Sequence, residues 1–203
     1  MTPILAATSL CLVRGDRCLF KDLGFSLRSG ELLVVDGPNG SGKTSLLRGV
    51  AGLLDFETGA VHWGGVPVLE DYQAFSADLA WFAHRVGFKG ELTLTENLDF
   101  ESGLRSFEVS RRETVLERLG LTRIRNLAFR SLSAGQQRRV ALARMMLSRA
   151  RLWIMDEPFT NLDREGQLLV HELISGHLET GGLCMVATHQ PLDIFGNTQR
   201  LAL

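Results

Sequence analysis

Lysine is nearly missing: Lys21, Lys43 and Lys89 are the three lysines among 22 basic residues. Arginine supplies the rest, and acidic residues almost cancel them, leaving a net charge of −1. Such a balance gives no strong electrostatic case for nucleic acid or for an anionic membrane surface. Cysteine is scarce as well, and Cys11, Cys18 and Cys184 are odd in number with no C-x-x-C pair. They read as buried thiols in a reducing compartment, which excludes a disulfide framework and a thiolate metal site. No run reaches the ~18 apolar residues of a membrane-spanning helix. The stretch Ile4 to Val13 is apolar like the core of a signal peptide, yet no basic residue precedes it and its pattern continues into a strand. Repeats, low-complexity runs and linkers are missing too. What remains is ordinary: 203 residues, 45% hydrophobic and 22% charged, enough for one globular domain with a real core.

Against that background one stretch stands out, Gly37-Pro38-Asn39-Gly40-Ser41-Gly42-Lys43-Thr44. It fits the phosphate-loop pattern, with Gly37, Gly42, Lys43 and Thr44 at the fixed positions. Leu32 to Val35 before it suits a buried parallel strand, and Ser45 to Ala51 after it has helical spacing. Glycines let backbone N–H groups approach a phosphate closely, and a helix N-terminus favours the anion. Lys43 suits the β- and γ-phosphates of a nucleotide, and the Thr44 hydroxyl suits Mg²⁺.

Taken in order, the chain predicts two strands over 5–13 and 19–27, then the loop with its strand and helix. A hairpin follows around Gly64-Gly65. From about residue 83 to 130 the pattern turns helical and more charged. Ser110 and Glu113 have capping-box spacing, and the helix they open stops at Gly120. Ser133 and Gln136 form a second capping box, opening a helix to about Ser148. Gly135 and the free N–H groups of that helix start make a second anion site. Leu152 to Glu157 reads as a buried strand that delivers Asp156 to the Mg²⁺ position and Glu157, as general base, towards a γ-phosphate. A helix over 165–178 and a strand over 183–187 follow, and the latter ends at Thr188-His189. A histidine at this third strand end suits phosphate sensing, and a purely structural role is the alternative.

These pieces together resemble the ATP-binding domain of ATP-binding cassette (ABC) transporters: the loop 37–44, the signature 132–136, the strand 152–157, Asn161-Leu162-Asp163 and His189. The resemblance implies an α/β fold with a P-loop NTPase (ABC ATPase) core, an antiparallel β subdomain and a helical insertion near 85–135, all within one domain over 1–203. It implies ATP and Mg²⁺ as ligands, with Gly37 to Ser45 on the phosphates, Thr44 and Asp156 on the metal, and Glu157 and His189 as catalytic residues. It also implies a head-to-tail pair, a homodimer here, in which Ser133, Gly135 and Gln136 act on the nucleotide of the other copy and Asp163 lies at the seam.

Length, the run Gly90 to Leu98 and the loop helix resemble more narrowly the haem exporter ATPase of bacterial cytochrome c maturation. That resemblance implies a peripheral subunit on the cytoplasmic face of the inner membrane, working with integral membrane subunits and without nucleic acid. The ATPase of another importer or exporter is the alternative, and a soluble cassette protein acting on nucleic acid or ribosomes is a remoter one. Two positions depart from the pattern. Arg14 stands where the family stacks an aromatic residue on adenine, and a guanidinium can also stack on a base. Arg85 stands where the family has a metal-contacting glutamine; arginine has no acceptor, so it faces either phosphate or solvent. Trp81, Phe82 and Phe88, at the start of the helical insertion, suit either a membrane-subunit anchor or core packing.

Overall fold

The computed structural model describes residues 4–83, 87–190, 192 and 197–203. Two strands, β1 (Leu5–Arg14) and β2 (Arg17–Leu27), form an antiparallel hairpin, and β1 also pairs with β4 (Thr58–Trp63), which pairs with the short β5 (Val66–Pro67). This antiparallel sheet has the order β2-β1-β4-β5. The second sheet is parallel and contains β3 (Glu31–Asp36), β6 (Leu79–Phe82), β7 (Leu152–Asp156), β8 (Leu183–Ala187) and β9 (Asn197–Ala202), in the order β6-β7-β8-β3-β9.

Strands β7 and β8 are buried at every residue, as parallel strands covered on both faces should be. Their side chains alternate between two cores with period two. Trp153 and Met155 face a core shared with the helices α3 (Leu94–Leu104), α4 (Arg112–Arg118), α5 (Ala134–Leu147) and α6 (Arg164–Glu179). Leu152 and Ile154 face the other core, shared with α1 (Lys43–Val50), Phe75 of α2 (Tyr72–Ala77) and the antiparallel sheet. The parallel sheet is therefore the middle layer.

Helix starts explain much of the local folding. Thr93 caps α3 in a full capping box with Glu96, Ser133 does the same for α5 with Gln136, and the Asp163 carboxylate caps α6 by accepting from Gly166 N–H at 2.8 Å. The capping box expected at Ser110 does not form. The chain enters α4 through a 3-10 turn, Val109–Arg111, so the residue before the helix, Arg111, is already in helical geometry. Glu113 instead accepts from Arg125 at 2.8 Å. The cysteines also correct the sequence reading: Cys184 is buried, but Cys11 is only partly covered and Cys18 is exposed. Phe82 is fully buried and belongs to the core; Phe88 packs partly buried against it, its ring 4.9 Å from that of Phe129.

Candidate active site

Register builds the site. Asp156 of β7 lies opposite Ala187 of β8, and Ala187 lies opposite Val35 of β3, so three strands end in one row. The row is extended by Glu157 N–H donating to Ala187 O at 2.9 Å and Thr188 N–H to Val35 O at 3.4 Å. The phosphate loop, the two carboxylates and His189 thus leave the sheet at the same level.

The loop then turns through Gly37, Gly40 and Gly42, with φ of 147°, 82° and 111°. A methyl on Gly37 would come within 2.6 Å of Leu203 O, so the close approach of loop and C-terminal strand requires glycine there. Helix α1 starts at Gly42 without any side-chain cap, unlike α3, α5 and α6. Its first N–H groups are left for another partner.

A cavity of about 420 Å³ opens there, lined by Leu19, Asn39, Gly40, Gly42, Lys43, Thr44, Ser45, Asp156, Glu157, Thr160 and His189. Lys43 is buried and folds back on the loop, donating to Gly37 O at 2.6 Å and Pro38 O at 3.2 Å. The Thr44 hydroxyl lies 3.1 and 3.0 Å from the two oxygens of Asp156. Glu157 has φ of 50°, a left-handed conformation that few side-chain-bearing residues adopt. That turn takes it out of the strand direction, and its carboxylate meets His189 Nδ1 at 3.1 to 3.2 Å.

These residues suit a nucleotide with a divalent cation. The Ser41 hydroxyl is buried without a partner in the loop, the position a phosphate oxygen would satisfy. The Thr44–Asp156 pair offers close oxygen donors for a hard cation. Among the described residues no cluster of three or more His, Cys, Asp or Glu could hold a metal alone. Mg²⁺ commonly binds through one or two carboxylates with substrate phosphates completing its shell.

Of the residues singled out from sequence, Asn39, Lys43, Thr44, Ser45, Asp156, Glu157 and His189 come together with the loop glycines Gly40 and Gly42. Ser133, Gly135 and Gln136 do not join them. They line a separate cavity of about 390 Å³ with Arg139, Asn161, Leu162 and Asp163, and the two cavities share no lining residue. Arg14 is exposed at the tip of the β1–β2 hairpin and does not line the phosphate-loop cavity; Leu19 of the same hairpin does. Leu19 escaped the sequence reading because nothing distinguishes it from an ordinary strand leucine. Arg85 lies outside the described residues.

Comparison with known proteins gives the family and the fold. The family described as ABC transporter matches residues 20–160. A cytochrome c biogenesis ATP-binding export protein, CcmA, of Vibrio parahaemolyticus is 41% identical over 98% of this chain and 97% of its own length. The protein of that name from Methylococcus capsulatus is 41% identical over 98% of this chain and 97% of its own. One from Nitrosococcus oceani is 43% identical over 95% and 88%. Among solved structures, an ATP-binding subunit of an ABC transporter superposes with a TM-score of 0.84, covering 92% of this chain and 79% of its own at 23% identity. A putative ABC transporter ATP-binding protein from Pyrococcus furiosus gives 0.83, covering 97% and 96% at 22% identity. At that identity the superpositions speak for the fold, which is that of ABC ATPases. The chain belongs to the ABC transporter family as an ATP-hydrolysing subunit and, within it, to the group of CcmA cytochrome c biogenesis ATP-binding export proteins.

Proposed function

We propose that this chain binds ATP with Mg²⁺ and couples its hydrolysis to membrane subunits that export or deliver haem for c-type cytochrome assembly. The observation that carries the catalytic part is the single cavity holding Lys43, Thr44, Asp156, Glu157 and His189. The cytochrome c part rests on relatives about 41% identical over nearly the whole chain.

In this reading Lys43 exchanges its two loop carbonyls for β- and γ-phosphate oxygens, and the loop N–H groups and Ser41 bind the remaining phosphate oxygens. Thr44 and Asp156 would hold Mg²⁺, which neutralises phosphate charge when bound. Glu157 accepts the proton of the attacking water, and His189 orients its carboxylate. Leu19 offers an apolar wall, and Arg14 remains a candidate for stacking on the base. The separation of the signature cavity from the phosphate-loop cavity supports a head-to-tail homodimer, in which Ser133, Gly135 and Gln136 of one copy reach the nucleotide of the other. The helices within 85–135 form the helical subdomain of this reading. Among the described residues no helix is long and apolar enough to cross a membrane. Attachment to the cytoplasmic face of the inner membrane would therefore run through integral partner subunits.

The test pairs chemistry with physiology. Glu157→Gln should bind ATP as the parent does, lose hydrolysis by at least ~100-fold and accumulate an ATP-dependent dimer. In cells lacking the native gene, the parent should restore c-type cytochromes and Glu157→Gln should not. Hydrolysis at the parent rate in Glu157→Gln refutes the general base; parent and variant restoring cytochromes equally well refutes the coupling.

A further inference from the structure

Two neighbouring arginines on the first turns of α5 address opposite sides of that helix. Arg139 donates to Leu119 O at 3.3 Å and approaches Asp163 at 3.8 Å, on the rim of the signature cavity. Arg138 turns inward and is only 4% exposed. Its guanidinium donates to Ala83 O, just past the end of β6, at 3.4 Å and sits 5.2 Å from the Phe82 ring. The nearby carboxylates whose charges bear on it are Asp156 and Glu157. Burial pulls its pKa below the ordinary arginine value, and those two carboxylates oppose the pull.

A guanidinium taken out of water is costly unless charge or hydrogen bonds replace its solvation. Among the described residues one carbonyl and one ring are close, and the charges of the pair at the end of β7 oppose the cost of burial. An apolar residue would fill this place without that cost. Holding a charge there ties the helix whose cap is Ser133 to the backbone leaving β6, which runs beside the strand that ends at Asp156. Arg144, farther along α5, reinforces this link by donating to Trp81 O at 3.1 Å.

We infer that Arg138 is a positioning residue for hydrolysis: it holds the signature helix on the end of β6, where Phe82 pairs with Met155, the residue before Asp156. A shift of the strand ends when nucleotide binds is thereby felt at the start of α5, although the two cavities share no lining residue. The inference rests on the ATPase reading above, and it makes that reading's two cavities mechanically dependent.

The decisive variant is Arg138→Met, which removes the charge and keeps an apolar stem of similar length. The full-length chain would be assayed for thermal stability, for binding of a fluorescent ATP analogue, for ATP turnover per folded molecule, and for hydrogen exchange over residues 79–83 and 133–138 with and without ATP. Expected are a melting temperature equal to or above the parent's, a Kd within about twofold, and turnover reduced at least ~tenfold. The ATP-dependent change in exchange at 133–138 should disappear. Arg138→Lys, which restores the charge, should recover turnover to within about threefold of the parent. If Arg138→Met fails to fold, Arg138→Gln takes its place with the same expectations. Parent-like turnover together with a parent-like exchange response in the neutral variant overturns the inference, as does an equal loss in the lysine and methionine variants. A parent that binds ATP without hydrolysing it counts against the ATPase reading instead, and the exchange response still decides the role of Arg138.

Discussion

The strand that delivers Asp156 is clamped at its other end by His177 of α6, and this makes stability depend on pH. The His177 ring stacks on Trp153 of β7 with centroids 4.1 Å apart and planes 8° from parallel. Its Nε2 lies 3.1 Å from Arg151 O and 3.2 Å from Leu183 O. Both neighbours are acceptors, so Nε2 carries the proton and the neutral ring satisfies them. Burial lowers the His177 pKa from 6.5 to about 4, against the opposing effect of those two hydrogen bonds.

The sign follows from linkage. A folded pKa below the unfolded one means that the unfolded chain takes up the proton first as pH falls. The contribution is therefore intact above 6.5 and is lost progressively between 6.5 and about 4. At about pH 5 the full difference corresponds to ~2 kcal/mol, and solvent screening at this half-buried ring reduces it to ~1 kcal/mol. Urea unfolding of the parent and of His177→Gln, from about pH 7.5 to about pH 5, measures it. Glutamine can still donate to the two carbonyls but does not titrate. The variant should start less stable, having lost the stacked ring, and should lose ~1 kcal/mol less than the parent over that range. Identical pH slopes would show that His177 does not carry the effect.

Two other perturbations separate local folding from function. Gly40 has φ of 82° with no atom within 4 Å of an added Cβ. Gly40→Ala should therefore cost only ~1–2 kcal/mol of stability, yet weaken ATP binding by at least ~tenfold as the methyl enters the phosphate space; unchanged affinity in isothermal titration would refute this. Gly37→Ala should instead lose stability more severely, as its Cβ meets Leu203 O at 2.6 Å, and a melting temperature equal to that of Gly40→Ala would count against that contact. Ser133→Ala removes the acceptor of Gln136 N–H and should cost ~1 kcal/mol. It should also reduce hydrolysis while leaving the Kd of the isolated chain unchanged, and a weakened Kd would place Ser133 in its own chain's nucleotide site.

What the sequence made legible is chemistry specified by near neighbours. The phosphate loop needs glycines at fixed spacing, the Ser133 cap needs its partner three residues on, and both formed as expected. The fully buried strands β7 and β8 were legible as apolar runs. The same local logic failed at Ser110, where Glu113 had a competing partner, Arg125, twelve residues away. It also missed elements whose signal is supplied by the sheet they join. Strand β9 is largely polar and exposed and, among the described residues, pairs only with β3, so its sequence lacks the apolar run of its neighbours. Strand β6 is four residues long and runs straight on from α2, too short to establish a period.

The site followed the same division. Asp156 and Glu157 were legible because a buried apolar strand ending in two carboxylates has few uses. Leu19 and Arg138 were not, because each acquires its role from distant packing. Leu19 reaches the cavity by way of a hairpin whose register shifts between Leu10 and Val13, and a Cβ added to Gly42 would lie 3.3 Å from it. Arg138 has an arginine on its carboxyl side and a glutamine before it, and in the sequence it reads as one more polar position on a helix. Only the arrival of β6 against α5 buries that charge, and the carboxylates of Asp156 and Glu157 then act on it. Burial of a charge is thus a property of the fold, and the residues most informative about coupling between the two cavities are those whose exposure a sequence cannot reveal.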